Sequence, residues 1–486
     1  MIPAGRDRYV TGLWLLTITG LLLRLYMAHI DPFLHIWDER FHALVASNMM
    51  DQPLKPMLRS NPVFPADYTN WTQAHIWVHK QPLFLWQMAL SMKIFGATVY
   101  ALRYPSVLMG TLMIPMVYSV ALSLSHNKRI GLLTAGLFCF SNFHLELIGG
   151  MRGMDHNDLC LEFYVLASMW SWIRYEKTGK WYWALLTGVF SGGAVLTKWL
   201  IGLFVFQLWG LKLLLSLKQP GLGKRVLFFL AVLLLCCLVF VPWQWYIMKH
   251  FPVEAAFEYA FNRRHLTEAL EGHSGSVFFY LGRFPQMFGE GIFLLIFPGI
   301  WLYARAKDRD RALTLPVVTG VLFVMAFFSF AVQSKSVTYV FFIAPVLLLF
   351  QAYSLDFMIG KIKRAYLVVF LLVGVGVLSC KPEKIILSQA TSNEARNKEI
   401  RHAAIYKSLK QHLPDSVKVV TNVPDCISLM FFNKGIMAYE LFTEEQVQLL
   451  EARKVPIGVY TKGYCDSLPA YLRHYPYVFI LPGSLD

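Results

Sequence analysis

Residues Val10 to Ile30 read VTGLWLLTITGLLLRLYMAHI, and Trp37 to His42, just beyond, read WDERFH. The first stretch decides the fold class. A bilayer's hydrocarbon core takes about 20 mainly apolar residues as one helix, and this run meets that length. Arg6 and Arg8 precede it, it lacks a clear small-residue cleavage site, and more such runs follow. It therefore reads as a retained anchor rather than a removed leader. The second stretch sets two carboxylates beside the end of that span.

Working outward, apolar runs recur at about 103–124, 130–150, 158–174, 181–197, 199–217, 226–247, 286–304, 312–332, 337–356 and 365–380. Composition agrees. The 486 residues are 56% hydrophobic and 15% charged, against about 25% charged in soluble chains. A cytosolic enzyme, a disordered chain and a disulfide scaffold are excluded. The net charge of +15 reads as Lys and Arg gathered in cytoplasmic loops rather than as a nucleic-acid surface. Membrane lipids are thus the first partner, and nucleic acid is not one.

Charge also orients the chain. With the N-terminus inside and the shorter run Pro82–Phe95 lying at the interface, the inner loops hold Lys128/Arg129, Arg174/Lys177/Lys180, Lys218/Lys224/Arg225, Arg305/Lys307/Arg309/Arg311 and Lys361/Lys363/Arg364. Each inner loop is basic, as the positive-inside rule asks. If 82–95 crossed, every later loop would invert. The expected architecture is a polytopic α-helical membrane protein of about eleven spans with amphipathic helices on its outer surface. Residues 1–380 form the membrane domain, with outer loops 31–102 and 248–285, and 381–486 form a small soluble α/β domain outside. In that tail Ser416–Val423, Pro456–Tyr460 and Tyr477–Leu481 read as strands, and Thr443–Arg453 as a helix with an acidic start. Cys426 and Cys465 lie there and could pair in an oxidising compartment.

The remaining charges collect on the outer side. Asp38 and Glu39 open an amphipathic stretch. His79-Lys80-Gln81-Pro82 opens the interfacial helix, and a helix start carrying a Lys suits an anionic phosphate. Arg152-Gly153-Met154-Asp155-His156-Asn157-Asp158 fills a short loop that could hold a metal or orient a substrate. Arg263-Arg264-His265, with His273, lies in the loop 248–285, and Ser334-Lys335-Ser336-Val337-Thr338-Tyr339 occupies an outer turn. Lys198 closes another span. A charge at mid-membrane costs about 2.5–3.5 kcal/mol and less near the interface. Acidic, basic and imidazole groups on one side point to an outward-facing site for a phosphate-bearing substrate. A transporter or lipid flippase would instead show charges near mid-span and interrupted helices in matching halves.

This ordered set resembles the membrane-embedded glycosyltransferases of the C-type (GT-C) fold: the protein O-mannosyltransferases and, more closely, the bacterial lipid A aminoarabinose transferases. The matching pieces are Asp38-Glu39, Lys80 and Pro82 before Phe95-Gly96, Arg103, Arg152 with Asp155 or Asp158, Leu196-Thr197-Lys198, His265, and Ser334-Lys335 with Tyr339 and Pro345. The resemblance implies inverting transfer of a sugar from a polyprenyl-phosphate donor to a glycolipid or protein acceptor, at the periplasmic face of a bacterial inner membrane. It implies Asp38, with Glu39, Asp155 and Asp158, as the catalytic carboxylates. Lys80, Arg152, Arg263, Lys335 and Tyr339 are the implied donor-phosphate ligands. In the aminoarabinose transferases the residue before the Lys is a Glu that holds a metal with a loop His. Here it is His79, so a His79/His265 pair is the zinc-binding candidate, and the departure leaves metal dependence open. No Rossmann glycine fingerprint or P-loop is present.

Overall fold

The computed structural model describes residues 8–307, 309–461, 463 and 468–481. Along the chain run α1 (Arg8–His29), α2 (Asp38–Met49), α3 (Leu83–Phe95), α4 (Val99–Ser125), α5 (Lys128–Cys139), α6 (Asn142–Ile148), α7 (His156–Thr178), α8 (Trp181–Lys198), α9 (Phe204–Leu215) and α10 (Leu222–His250). They continue with α11 (Pro252–Thr267), α12 (Phe279–Phe288), α13 (Ile296–Arg305), α14 (Arg311–Ala326), α15 (Thr338–Phe341), α16 (Ala344–Lys361), α17 (Ala365–Cys380) and α18 (Pro382–Ser388). The tail adds α19 (Glu394–Ser408), β1 (Val419–Thr421), α20 (Cys426–Phe432), β2 (Met437–Ala438), α21 (Glu444–Ala452), β3 (Ile457–Val459), α22 (Ala470–Arg473) and β4 (Val478–Ile480).

The chain divides into two compact units. The first comprises residues up to Ala28, His79–Phe84 and Arg103–Ile385, and the second His29–Val78, Leu85–Leu102 and the chain from Ile386. Sequence composition grouped 31–102 with the spans. The contacts instead put most of that segment in one unit with the tail.

The first unit is helical. All eleven apolar runs fall in helical segments, but fewer of them are continuous spans. Among the described residues six segments are long and apolar enough to cross a membrane, or up to eight if the bent pairs α5–α6 and α12–α13 each count as one span. The difference from eleven has a physical cause. Helix α7 carries buried His156, Asn157, Asp158 and Glu162, and α16 carries buried Gln351 and Ser354, so both are too polar by composition alone. The apolar stretch Trp181–Leu215 doubles back on itself: Ser191 Oγ donates to the Gly202 carbonyl at 2.6 Å, a contact a straight helix could not make. Helix α3, at 13 residues, reaches about 20 Å, short of the ~30 Å core.

Close packing of backbones builds this unit. A Cβ on Gly192 would come within 2.6 Å of Val239 Cβ and 2.9 Å of the Cys236 carbonyl, and one on Gly188 within 2.8 Å of the Val232 carbonyl. These glycines, four apart on α8, let α10 approach closely, the use small residues serve between membrane helices. Several polar groups inside have protein partners. Arg24 donates to the Gly20 and Cys139 carbonyls at 3.1 and 3.4 Å, His144 meets Glu162 at 3.0 Å, and Arg103 donates to the Ala28 carbonyl.

The second unit holds a four-stranded parallel sheet of order β2-β1-β3-β4. Three of its strands and α21 lie where the sequence placed them. Helix α21 starts with a capping box in which Thr443 and Gln446 each receive the other's backbone N–H, a device worth about 1 kcal/mol. Val419, Phe442, Val447, Leu450, Ile457 and Val459 form its core, and Val63 and Phe64 of the early segment pack against it. Cys465 lies outside the described residues, so its pairing with Cys426 does too.

Substituting Gly192→Ile should overpack the α8–α10 contact and cost roughly 1–3 kcal/mol, read as a lowered melting temperature in detergent. Gly223→Ala, where a Cβ meets nothing within 4 Å, should leave it unchanged. Equal melting temperatures for the two variants would refute the close approach.

Candidate functional site

The polar clusters of the helical unit are joined partly by side-chain contacts and partly by backbone hydrogen bonds. Helix α7 begins after a turn whose Gly150 and Gly153 adopt φ of +72° and +70°. Asp155 caps the helix, accepting from the Asn157 backbone N–H at 3.1 Å. Beside it His156 Nδ1 and Ser106 Oγ lie 2.7 Å apart. One turn later Asp158 is buried and pairs with Lys198 Nζ at 2.5 Å. Lys198 ends α8, with the next residue, Trp199, at φ +61°. The same ammonium donates to Thr338 Oγ1 at 3.2 Å and lies 5.6 Å from the Tyr339 ring centroid. Asp158, Lys198, Thr338 and Tyr339 thus meet from three separate segments. The Arg152 side chain lies outside the described residues.

The 334–339 turn continues the chain of contacts. The Ser334 N–H donates to the His265 carbonyl and the Lys335 N–H to the His273 carbonyl. Lys335 departs from the phosphate-ligand expectation. Its buried ammonium donates to the Phe328 and Ser329 carbonyls at 2.6 and 2.9 Å and also to the Val332 carbonyl. Three donors meet three carbonyls, at the end of a helix whose dipole favours a cation. Lys335 therefore closes the turn that carries Thr338 and Tyr339.

Helix α11 connects this turn to His79 and Lys80. His79 Nδ1 lies 3.0 Å from Glu258 Oε2, with both side chains under 10% exposed. Gln244 Nε2 donates to Gln81 Oε1 at 2.7 Å, and Tyr259 donates to Gln244. Lys80 is thereby bracketed by His79, tied to α11, and Gln81, tied to Gln244 of α10. One face of that helix also carries His265, two turns beyond Glu258. Burial, then the charges of Lys80, His273 and Arg264, push its imidazole down to about 4, so it is neutral at pH 7. His265 Nδ1 meets no hydrogen-bond partner among the described residues. Arg263 is exposed, and Arg264 pairs with Glu268 at 2.7 Å.

Zinc needs four ligands in a structural site, or three plus water in a catalytic one. His79, Glu258 and His265 supply suitable atoms, but among the described residues no three His, Cys, Asp or Glu side chains converge as a metal-binding group. His79 already engages Glu258. The described residues do not assemble a metal centre, and no step below runs through one.

Asp38 and Glu39 lie in the other unit, at the start of α2. Glu39 is fully buried, and its carboxylate accepts the His35 N–H at 2.7 Å. That contact ties the turn before α2 and gives Glu39 a structural task. Asp38 is half-exposed. Sequence reasoning missed Glu258 and the Lys198–Asp158 pair. Glu258 gives no local signal, since α11 reads PVEAAFEYAFNRRHLT with Glu254 a turn earlier. Lys198 and Asp158 were each visible as charges at span ends, and only the fold joins them.

Compared with solved structures, the chain matches ArnT from Cupriavidus metallidurans bound to undecaprenyl phosphate with TM-score 0.64 at 17% identity, over 87% of this chain and 85% of that one. It matches the oligosaccharyltransferase AglB of Archaeoglobus fulgidus, solved with an inhibitory peptide and a dolichol-phosphate, with TM-score 0.56 at 12% identity, over 88% and 64%. The chain is a polytopic membrane protein with the GT-C fold. In sequence, a family model described as dolichyl-phosphate-mannose-protein mannosyltransferase matches residues 72–256. An undecaprenyl phosphate-alpha-4-amino-4-deoxy-L-arabinose arabinosyl transferase 1 of Pseudomonas fluorescens (strain Pf0-1) is 26% identical over 285 residues. That alignment covers 56% of this chain and about half, 48%, of the relative.

Breaking the Asp158–Lys198 pair from one side leaves a charge poorly solvated, at a cost of about 3 kcal/mol. Asp158→Asn and Lys198→Met should each lower thermal stability in detergent by that order, and the double variant by less than their sum. Additive losses would show that the two side chains are not coupled.

Proposed function

We propose that this chain is a glycosyltransferase that moves a sugar from a polyprenyl-phosphate donor to a glycolipid, of the lipid A kind, or to a protein. The observation that carries the reading is a run of polar groups inside an otherwise apolar helical unit: His79 on Glu258 beside Lys80, the 334–339 turn bonded through backbone to His265 and His273, and Lys198 on Asp158, Thr338 and the Tyr339 ring. The fold on which that run lies is the one ArnT shows with undecaprenyl phosphate bound. Such a run is costly in a membrane protein, and a charged lipid head group accounts for it.

In this reading Lys80 stands at the start of α3, where a fixed positive charge and a helix N-terminus both attract an anion. The donor phosphate binds there. As the glycosidic bond breaks, the phosphate gains charge, and Lys80 stabilises that gain. Tyr339, Lys198 and Asp158 line the same polar run and orient the donor. Asp38 accepts the proton of the incoming hydroxyl, which attacks the anomeric carbon from the side opposite the phosphate and inverts it. Lys335 and Glu39 serve by holding the turns beside these groups. The activated lipid-linked sugar supplies the driving force.

Orientation is part of the proposal. The basic loops at Lys128/Arg129, Lys224/Arg225 and Lys361/Lys363/Arg364 face the cytoplasm under the positive-inside rule. The polar run and the tail then face the periplasm of a bacterial inner membrane. Reporter fusions at Lys128 and Asp425 should report opposite sides; the same side for both would remove this orientation.

Undecaprenyl phosphate binding to purified protein tests the phosphate assignment. Lys80→Ala should weaken it at least tenfold, the loss expected from one charge-assisted contact of about 1.5–3 kcal/mol. Asp38→Asn should bind normally yet transfer no sugar. Wild-type affinity in Lys80→Ala, or wild-type transfer in Asp38→Asn, would overturn the corresponding role. The zinc expectation is carried by a chelator arm, with chelator-sensitive transfer supporting it and insensitive transfer rejecting it.

A further inference from the structure

The turn that carries Asp38 is strained. Trp37, immediately before it, is 68% exposed and adopts φ +67°, a region that costs a non-glycine residue about 1–3 kcal/mol. Such a conformation persists only where the surroundings over-determine it. Here the surroundings come from the second unit itself. Arg40 Nε donates to the Leu34 carbonyl at 3.3 Å. Its two terminal nitrogens reach Glu399 of α19 at 2.9 Å and Asp425, the residue capping α20, at 3.0 Å. One guanidinium therefore ties the turn before α2 to two helices of the tail. Arg396 adds a second tie, meeting Asp31 at 2.6 Å and the Ile30 carbonyl at 2.9 Å. His35 also meets Asp31, at 3.2 Å. Burial alone would raise the Asp31 carboxyl, but its hydrogen bonds to His35 and Arg396 hold it below the ordinary range.

The sheet topology sharpens the point. From β1 the chain goes to β2 on one side and then crosses to β3 on the other. In open parallel sheets that switch, at the carboxyl ends of the strands, is where a ligand normally binds. Here Asn422, just after β1, donates to the Tyr460 carbonyl just after β3 at 2.7 Å. Asp425 in the same loop receives Arg40. The loop that leaves β1 at this switch point is thus engaged, at Asp425, by Arg40 of α2.

We infer that the C-terminal α/β region is the seat that fixes the Asp38 turn, with Arg40 as the positioning residue and Asp425 and Glu399 as its sockets. Asp38 and Arg40 are two residues apart on α2, about 200° around the helix. Holding Arg40 on the tail sets the helix rotation and turns Asp38 to the opposite face. The inference rests on the glycosyltransferase reading only for what Asp38 then does.

The test uses full-length protein in detergent or nanodiscs. Asp425→Asn keeps a good helix cap while removing the charge, so it separates the pin from folding of α20; it is combined with Glu399→Gln. Amide hydrogen exchange across residues 35–49 should speed up in this double variant and stay unchanged in α21. With undecaprenyl-phosphate-linked 4-amino-4-deoxy-L-arabinose as the donor probe, kcat should fall about tenfold to a hundredfold, the range expected for a misplaced catalytic group, with donor KM unchanged. Arg40→Lys should not rescue, because one ammonium cannot replace a planar fork that reaches three acceptors. Unaltered exchange across 35–49 would overturn the pin. Faster exchange with wild-type kcat would overturn its positioning role. No transfer by the wild-type protein would rule out 4-amino-4-deoxy-L-arabinose as the sugar carried, while the exchange result would still decide the pin.

Discussion

A charge inside a helical membrane unit has no water to turn to, and that constraint organises this protein. Buried and half-buried cations of the helical unit find oxygen: Arg24 at the Gly20 and Cys139 carbonyls, Arg103 at the Ala28 carbonyl, Lys335 at three carbonyls, and half-buried Lys198 at Asp158. The two lysines answer the constraint differently. Lys335 is satisfied by backbone and so belongs to the fold. Lys198 is held by a carboxylate, a hydroxyl and a ring face, all of them side-chain groups.

Much of the fold was legible because hydrocarbon demands long apolar helices and because caps and strands leave local marks. The Val10–Ile30 run, the short Pro82–Phe95 run and the acidic start of the Thr443–Arg453 helix were all readable from residue order. The number of spans was not, since α7 and α16 bury polar residues against neighbours that only the fold supplies. Strand β2, two residues long, has no alternation to read. In the candidate site, Lys80 and Asp158 stood out as charges in apolar surroundings. Glu258 did not, because its difference from Glu254 is made by His79, 179 residues away. Lys335 looked like a spare cation because its acceptors are carbonyls, which sequence does not advertise.

The sheet's strands are only two or three residues long, too short to hold a stable layer without side support. Val63 and Phe64 packed on the Phe442 core, and Arg59 donating to the Ala438 carbonyl at 2.7 Å, supply some of that support. The early segment thus completes the tail's core while the tail orients the early segment. Neither piece has an independent reason to keep its shape.

That interleaving has a consequence for how the protein is made. Val78 leaves the ribosome 308 residues before Ile386 (386 − 78). At about 5–20 residues per second the first piece waits roughly 15–60 s for its partner. Through that interval residues 29–78 are already synthesised, with Val63 and Phe64 uncovered and Arg40 unpaired with Asp425. The half-made chain thus exposes an apolar surface for most of its synthesis, and any escort it recruits has to let go when the last hundred residues arrive.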